Sequence, residues 1–291
     1  MRRIVLPLVI AMFATGLGAA EQSRQEKWKA DIADANAAWA TNHLAILKID
    51  HAIYIKPGER AWLVRTGEPN GKVHWSLTPK NGALVEASYE ADKVELRAGQ
   101  IEKKFVASEG SSIAVNADID VRAQLTQMAP DQMGVRLFAY NQRNPEPKAF
   151  KGLDYFAYNP SYAVVAAFEP ETAKPVDFET SRGWVKRFWR VGVAHFALNG
   201  ADIRLPLYGD TATPKDVSSF FTDATTGKTT YGVGRYVDSE LVGAFPPKTL
   251  TIDFNEAYNP NCARSQHYNC PYATDHLPIA VEAGEKAPPA H

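Results

Sequence analysis

Two cysteines, Cys262 and Cys270, stand near the end of the chain with seven residues between them, His267 among these and His276 just beyond. In an oxidising compartment an isolated pair is most simply a disulfide. Closing so small a loop would contribute about 2–3 kcal/mol if unstrained. The same stretch could instead offer Cys262, His267, Cys270 and His276 to one tetrahedral metal ion. The C-x4-H-x2-C-x5-H spacing is not a standard zinc pattern, and export disfavours free thiolates. The disulfide is therefore preferred, and no metal or cofactor is assigned.

Just upstream, Leu250, Ile252 and Phe254 alternate along a strand that ends in Asp253 and Asn255. These two polar side chains share the opposite face, about 7 Å apart. Such a pair could hold a substrate or an ion. It could equally tie down the following Tyr258-Asn259-Pro260 turn, since Asp and Asn bond local backbone. The preceding hairpin supplies Asp223, Thr225, Thr226, Tyr231, Arg235 and Tyr236, with Gly227, Gly232 and Gly234 permitting tight turns. Arg235 could pair with Asp253 or clamp a ligand anion. The GVGRY run lacks the third glycine and the helix of a dinucleotide fingerprint. No G-x-S-x-G, H-E-x-x-H or P-loop occurs, and the seven histidines are scattered. His195 sits in an alternating strand and reads as a core or pocket-wall residue.

These side chains need a scaffold, and the pattern predicts a mainly β one. Residues 21–50 read as an amphipathic helix, with Trp28, Ile32, Ala35, Trp39, His43 and Ile46 on one face. From Ala52 the period changes to two. Short β-branched and aromatic runs alternate with turn signals at Pro69-Asn70-Gly71, Asn81-Gly82 and Asn199-Gly200. About fifteen strands follow, in two antiparallel β units of the sandwich or barrel kind, at 51–145 and 146–286. The polar, proline-bearing residues 141–147 mark the boundary. A Pro-rich turn is expected around Pro170 and Pro175, a last strand around 277–284, and a frayed tail after it.

The chain has 291 residues, 45% hydrophobic and 22% charged, with a formal charge of −1. That composition supplies a core and excludes wholesale disorder. It shows no basic stripe for a nucleic acid. Residues 1–20 read as a cleaved signal peptide: Arg2 and Arg3, an apolar run of about fourteen residues, then Gly18-Ala19-Ala20. The run is short for a spanning helix. An exported, soluble protein without stable membrane insertion is expected, periplasmic if the host has two membranes.

The order DATTGKTTYGVGRY, DFNEAYNPNC, NCP, LPIAV and AGEK resembles the bacterial family DUF1684, over roughly residues 150–286. The chain departs from the family pattern at Tyr272-Ala273-Thr274-Asp275-His276, where a longer Pro-rich spacer and a Glu-Asn pair are usual. The resemblance implies no activity. It implies that Asp223, Gly227, Tyr231, Arg235, Asp253, Asn255, Tyr258, Asn259, Cys262 and Cys270 form one unit at the end of a β-barrel or sandwich, where a small-molecule pocket is expected. In an enzyme, a hydrolase being the least specific version, Asp253 would be the base, Arg235 the anion clamp, and Tyr231 or Tyr258 a donor, with Asp223, Asn255 and Asn259 completing the binding set. In a non-catalytic envelope module the same residues would lock the Cys loop onto the barrel.

Overall fold

A computed structural model describes residues 10–67 and 71–289, with side chains from Glu21 onward. The leader read at 1–20 thus lies outside the described side chains, as do Pro69 and Asn70 of one expected turn. Helix α1 covers Ile10–Asn36 and ends earlier than its apolar stripe suggested. The Asn36 amide bonds back to the Ile32 carbonyl, and its Oδ1 accepts from the Leu153 N–H at 2.8 Å. A single π-helical turn, Ala37–Thr41, buries Trp39, and Ile46 falls in a separate 3-10 turn.

The first β unit is a sandwich. One sheet runs β1(Ile49–Ile55), β9(Gln132–Asn141), β8(Ile119–Ala129), β7(Ser111–Ala114). The other runs β3(Val73–Ser76), β2(Arg60–Arg65), β4(Val85–Glu90), β5(Lys93–Ala98), β6(Ile101–Val106). Inward residues of both, among them Leu63, Leu96, Val121 and Leu137, form one core. The β4–β5 turn is made by Ala91 and Asp92 at φ 44° and 69°. Ala91 does not advertise that left-handed conformation and no glycine follows Asp92, so the turn was hidden in the sequence.

After β9 the chain makes one short helical turn, α2(Glu146–Ala149), and enters a second unit with its own core. This is a nearly closed barrel: β14(Arg235–Glu240), β13(Asp216–Thr222), β12(Ala201–Gly209), β11(Val185–Leu198), β10(Ala163–Glu179), β15(Thr249–Asp253). The outermost strands, β14 and β15, meet side by side. The two-residue strand β16(Asp275–His276) adds in parallel to β13. Asn199 and Gly200, at φ 51° and 79°, make the expected two-residue β11–β12 turn.

The expected turn at Pro170 and Pro175 is instead a bend within β10, where the register shifts between Pro170 and Lys174. Proline cannot donate to a ladder, and an irregularity spares it that role. Opposite lies Gly192, where a Cβ would meet the Glu169 carbonyl at 2.7 Å and the Phe168 ring at 2.9 Å. The bent hairpin reaches the first unit, where the Arg187 N–H donates to Gln127 at 2.7 Å. The segment read as a last strand, 277–284, lies outside any strand. The tail is not frayed either: Ala283, Gly284 and Glu285 are buried.

Helix α1 is pinned to the barrel through Trp28. Its Nε1 donates to the Asn255 carbonyl at 2.8 Å, and its ring meets Tyr155 and Tyr158. Trp28→Phe, which keeps a ring and removes the donor, is expected to cost about 1 kcal/mol. Trp28→Ala should cost about 2 kcal/mol, less than a fully buried site because the ring is half-exposed. Urea denaturation followed by far-UV circular dichroism measures both.

Candidate functional site

The polar residues singled out from sequence fold into three knots, of which the third leaves Asn259 Oδ1 and Arg264 Nε without a partner. In the first, the Arg235–Asp223 pair is sealed inside the barrel end, with side chains 1% and 0% exposed and 2.7 Å apart. Arg235 also donates to the carbonyls of Val281 and Ala283. Asp223 accepts from the Thr225 N–H and hydroxyl. The expected Arg235–Asp253 pair does not form: Asp253 caps the next turn, taking the Asn255 N–H at 2.9 Å and its side-chain amide at 2.8 Å.

Asn255 is buried in the second knot, exchanging hydrogen bonds with the Asn159 backbone at both ends of its amide. In the third, Glu285 accepts from the Asn259 N–H and from Arg264, each at 2.8 Å. The Asn259 amide holds the Lys286 carbonyl at 2.7 Å. Gly284, at φ 78°, lets the tail pass where a Cβ would come within 2.6 Å of the Ala257 carbonyl. Tyr258 donates to Asp238 at 2.9 Å. Asp253, Arg235 and Tyr231 line none of the three principal cavities among the described residues.

The Cys loop does open on a cavity. It leaves β14 by the Tyr236–Tyr258 bridge and returns to the end of β10 through Pro271 and Tyr272. Between these points it crosses to the first unit. Tyr268 packs on Phe138 and under Arg136, and the Tyr54 hydroxyl donates to the His267 carbonyl. A groove of 920 Å³ runs between this loop and residues 46–49 and 146–152. Ile46, Leu47, Ile49 and Phe150 make it apolar, while Cys262, Arg264, Ser265 and His267 edge it with polar atoms. The expected disulfide stands here as two free thiols side by side, the Cys262 N–H donating to Cys270 Sγ at 3.3 Å. The four-residue Cys/His set does not converge: His276 bonds to Thr222, and His267 turns to the Ile49 backbone.

The family described as protein of unknown function (DUF1684) matches residues 148–286. Residues 148–286 belong to DUF1684. No curated protein matches the chain. A solution NMR structure of an uncharacterized protein of Haloarcula marismortui is 34% identical, the match covering 50% of this chain and 82% of that one, at a TM-score of 0.43.

The DUF1684 segment carries most of the perturbed groups. His267 is pushed down to about 4 by burial, by neighbouring His51 and by Arg182. Burial and the carboxylate of Asp238 push Tyr258 well up. Burial, then the nearby Cys262 and Cys270, raises Tyr231. Asp275 is raised to about 6 by burial. Burial lowers Lys186, which lies close to Cys270. Lys186, Ser181, Arg264 and Phe150 were missed in the sequence. Lys186 alone left a mark there, as one of two adjacent cations, with Arg187, inside the aromatic run WVKRFW. His195, expected in a core or pocket wall, lies at the surface between Glu169 and Asp202.

Two outcomes follow from this geometry. Arg235→Met strands the Asp223 carboxylate inside the barrel and is expected to cost about 3–5 kcal/mol, with the double variant Asp223→Asn/Arg235→Met losing less than Arg235→Met alone. Urea midpoints decide this. Second, His267 takes a proton at about 6.5 when unfolded and only near 4 when folded. The unfolded chain holds more protons in that window, so this residue's contribution is intact above 6.5 and is lost towards pH 4. Asp275 acts with the opposite sign between 3.8 and 6, so the parent must be compared with a variant. The stability of the parent minus that of His267→Gln should shrink on going from pH 7 to 4.5, by on the order of 2 kcal/mol after discounting partial exposure. A pH-independent difference would contradict the assignment.

Proposed function

We propose that the protein is an exported, soluble binding protein that holds a small, largely apolar molecule in the groove beside the Cys loop. The observation that carries this reading is the groove itself. Its 920 Å³ suits a small molecule, and its apolar floor is edged by a few convergent polar groups. Among the described residues no helix is long and apolar enough to cross a membrane. A binding role is favoured over hydrolysis because the nominated base and anion clamp face elsewhere. Asp253 is occupied by Asn255, and Arg235 is closed in the barrel. His267, the imidazole at the groove, is held well below the usual histidine range by burial, His51 and Arg182.

A second reading has its own support. The loop joins two separate cores, so it could serve only to fasten them, as a non-catalytic envelope module would require. Ala149 is exposed at the groove edge, so Ala149→Trp should fill the groove without disturbing a core. In a thermal-shift screen, compounds that raise the melting temperature of the parent should lose their effect on Ala149→Trp, while the unliganded melting temperatures agree. Compounds that shift both proteins equally, or a screen without hits, would favour the fastening role.

A further inference from the structure

The two thiols differ in a way that a structural crosslink does not require. Cys262 lies in the 3-10 turn Asn261–Ala263, is only partly buried, and forms part of the groove wall. Cys270 is buried behind it. Its backbone is fixed on both sides by Ser181: the Cys270 N–H donates to Ser181 Oγ at 3.1 Å, and the Ser181 N–H donates to the Cys270 carbonyl at 2.9 Å. The Cys262 N–H points at Cys270 Sγ, so the buried sulfur already has a donor to stabilise negative charge. The partly buried ammonium of Lys186 acts on the same sulfur through its charge and favours the thiolate.

We propose that Cys262 and Cys270 form an exchanging redox pair, in which Cys262 attacks a small-molecule disulfide entering by the groove and Cys270 resolves the adduct. The proposal rests on the groove admitting a small molecule. In the first step the Cys262 thiolate donates a lone pair to one sulfur of R–S–S–R. The Cys262–S–R bond forms, the substrate S–S bond breaks, and one RS⁻ leaves to be protonated by solvent. In the second, Cys270 gives its proton to water and attacks Cys262 Sγ. The Cys262–Cys270 bond forms and the second RS⁻ departs. One disulfide is reduced to two thiols, and the two cysteines are oxidised to one disulfide.

The electrostatics agree with this order. Hydrogen bonds from Cys270 and Ser181 hold the Cys262 thiol down to about 7. Cys270 is pushed well up by Cys262 and by burial. Once Cys262 carries an R–S group its negative charge is gone. Burial is then opposed by the Cys262 N–H and the Lys186 ammonium, both of which favour the Cys270 thiolate. Cys262 therefore reacts first and Cys270 second.

Oxidised glutathione is the probe. Intact-mass and peptide spectrometry of the reduced Cys270→Ser protein should show one glutathione joined to Cys262. The reduced parent should pass on to the Cys262–Cys270 disulfide with release of two glutathione thiols. In the unsubstituted reduced protein at pH 7, iodoacetamide should modify Cys262 at least about tenfold faster than Cys270, a readout independent of how the variants fold. Equal alkylation rates would overturn the proposal, as would a native disulfide that resists dithiothreitol until denaturant is added. If groove ligands are found by thermal shift but Cys270→Ser takes up no glutathione, the redox inference falls and the binding reading stands. Adduct formation with no groove ligand in the screen retains Cys262 reactivity and removes the binding reading.

Discussion

A guanidinium buried in the end of a β-barrel has to be satisfied on every side, and that requirement organises the C-terminal half of this protein. Arg235 meets it with one carboxylate, Asp223, and two tail carbonyls, Val281 and Ala283. Neither partner comes from a neighbouring strand. Asp223 lies in the long β13–β14 connection and is held by its own Thr225. The tail must run back under the barrel to deliver its carbonyls. Ala283, Gly284 and Glu285 are therefore buried, although they form no strand.

The tail in turn fixes what it passes. Glu285 locks Arg264 and the Asn259 backbone, so the base of the Cys loop is fastened by the same segment that completes the Arg235 knot. Asn255 joins the Asn159 backbone on one side and Trp28 of α1 on the other. Breaking any of these would leave a buried polar group without a partner, which costs more than the bond itself contributes. The polar residues thus act as a frame. This frame presents a stretch that both crosses between the two cores and faces a cavity, the loop from Cys262 to Cys270.

That loop is where structural and chemical demands meet. Tyr268 and His267 press it onto the first β unit, and the histidine is held neutral by burial, His51 and Arg182. Cys262 remains at the groove while Cys270 is withdrawn behind it and buried. A rigid frame behind a partly exposed thiol and an apolar groove is a suitable setting for recognising a small molecule.

The sequence by itself determined the β class, the Asn199-Gly200 turn and the closing stretch as the region to examine. These are local properties: side-chain alternation, turn residues with positive φ, and motif order. It also placed Asp253 and Asn255 at a strand end, where the turn-binding alternative proved to be their geometry. Tertiary structure alone decided the partners. Arg235 took Asp223 rather than Asp253, because a strand pair cannot show which distant residues a closing barrel brings to its interior. The bend at Pro170 and the buried tail were invisible for related reasons, each depending on contacts with remote chain, whereas the Ala91-Asp92 turn was hidden because it contains no glycine. The groove is the clearest case. Its walls come from residues 46–49, 146–152 and 262–267, and no spacing along the chain reveals that these surfaces face one another.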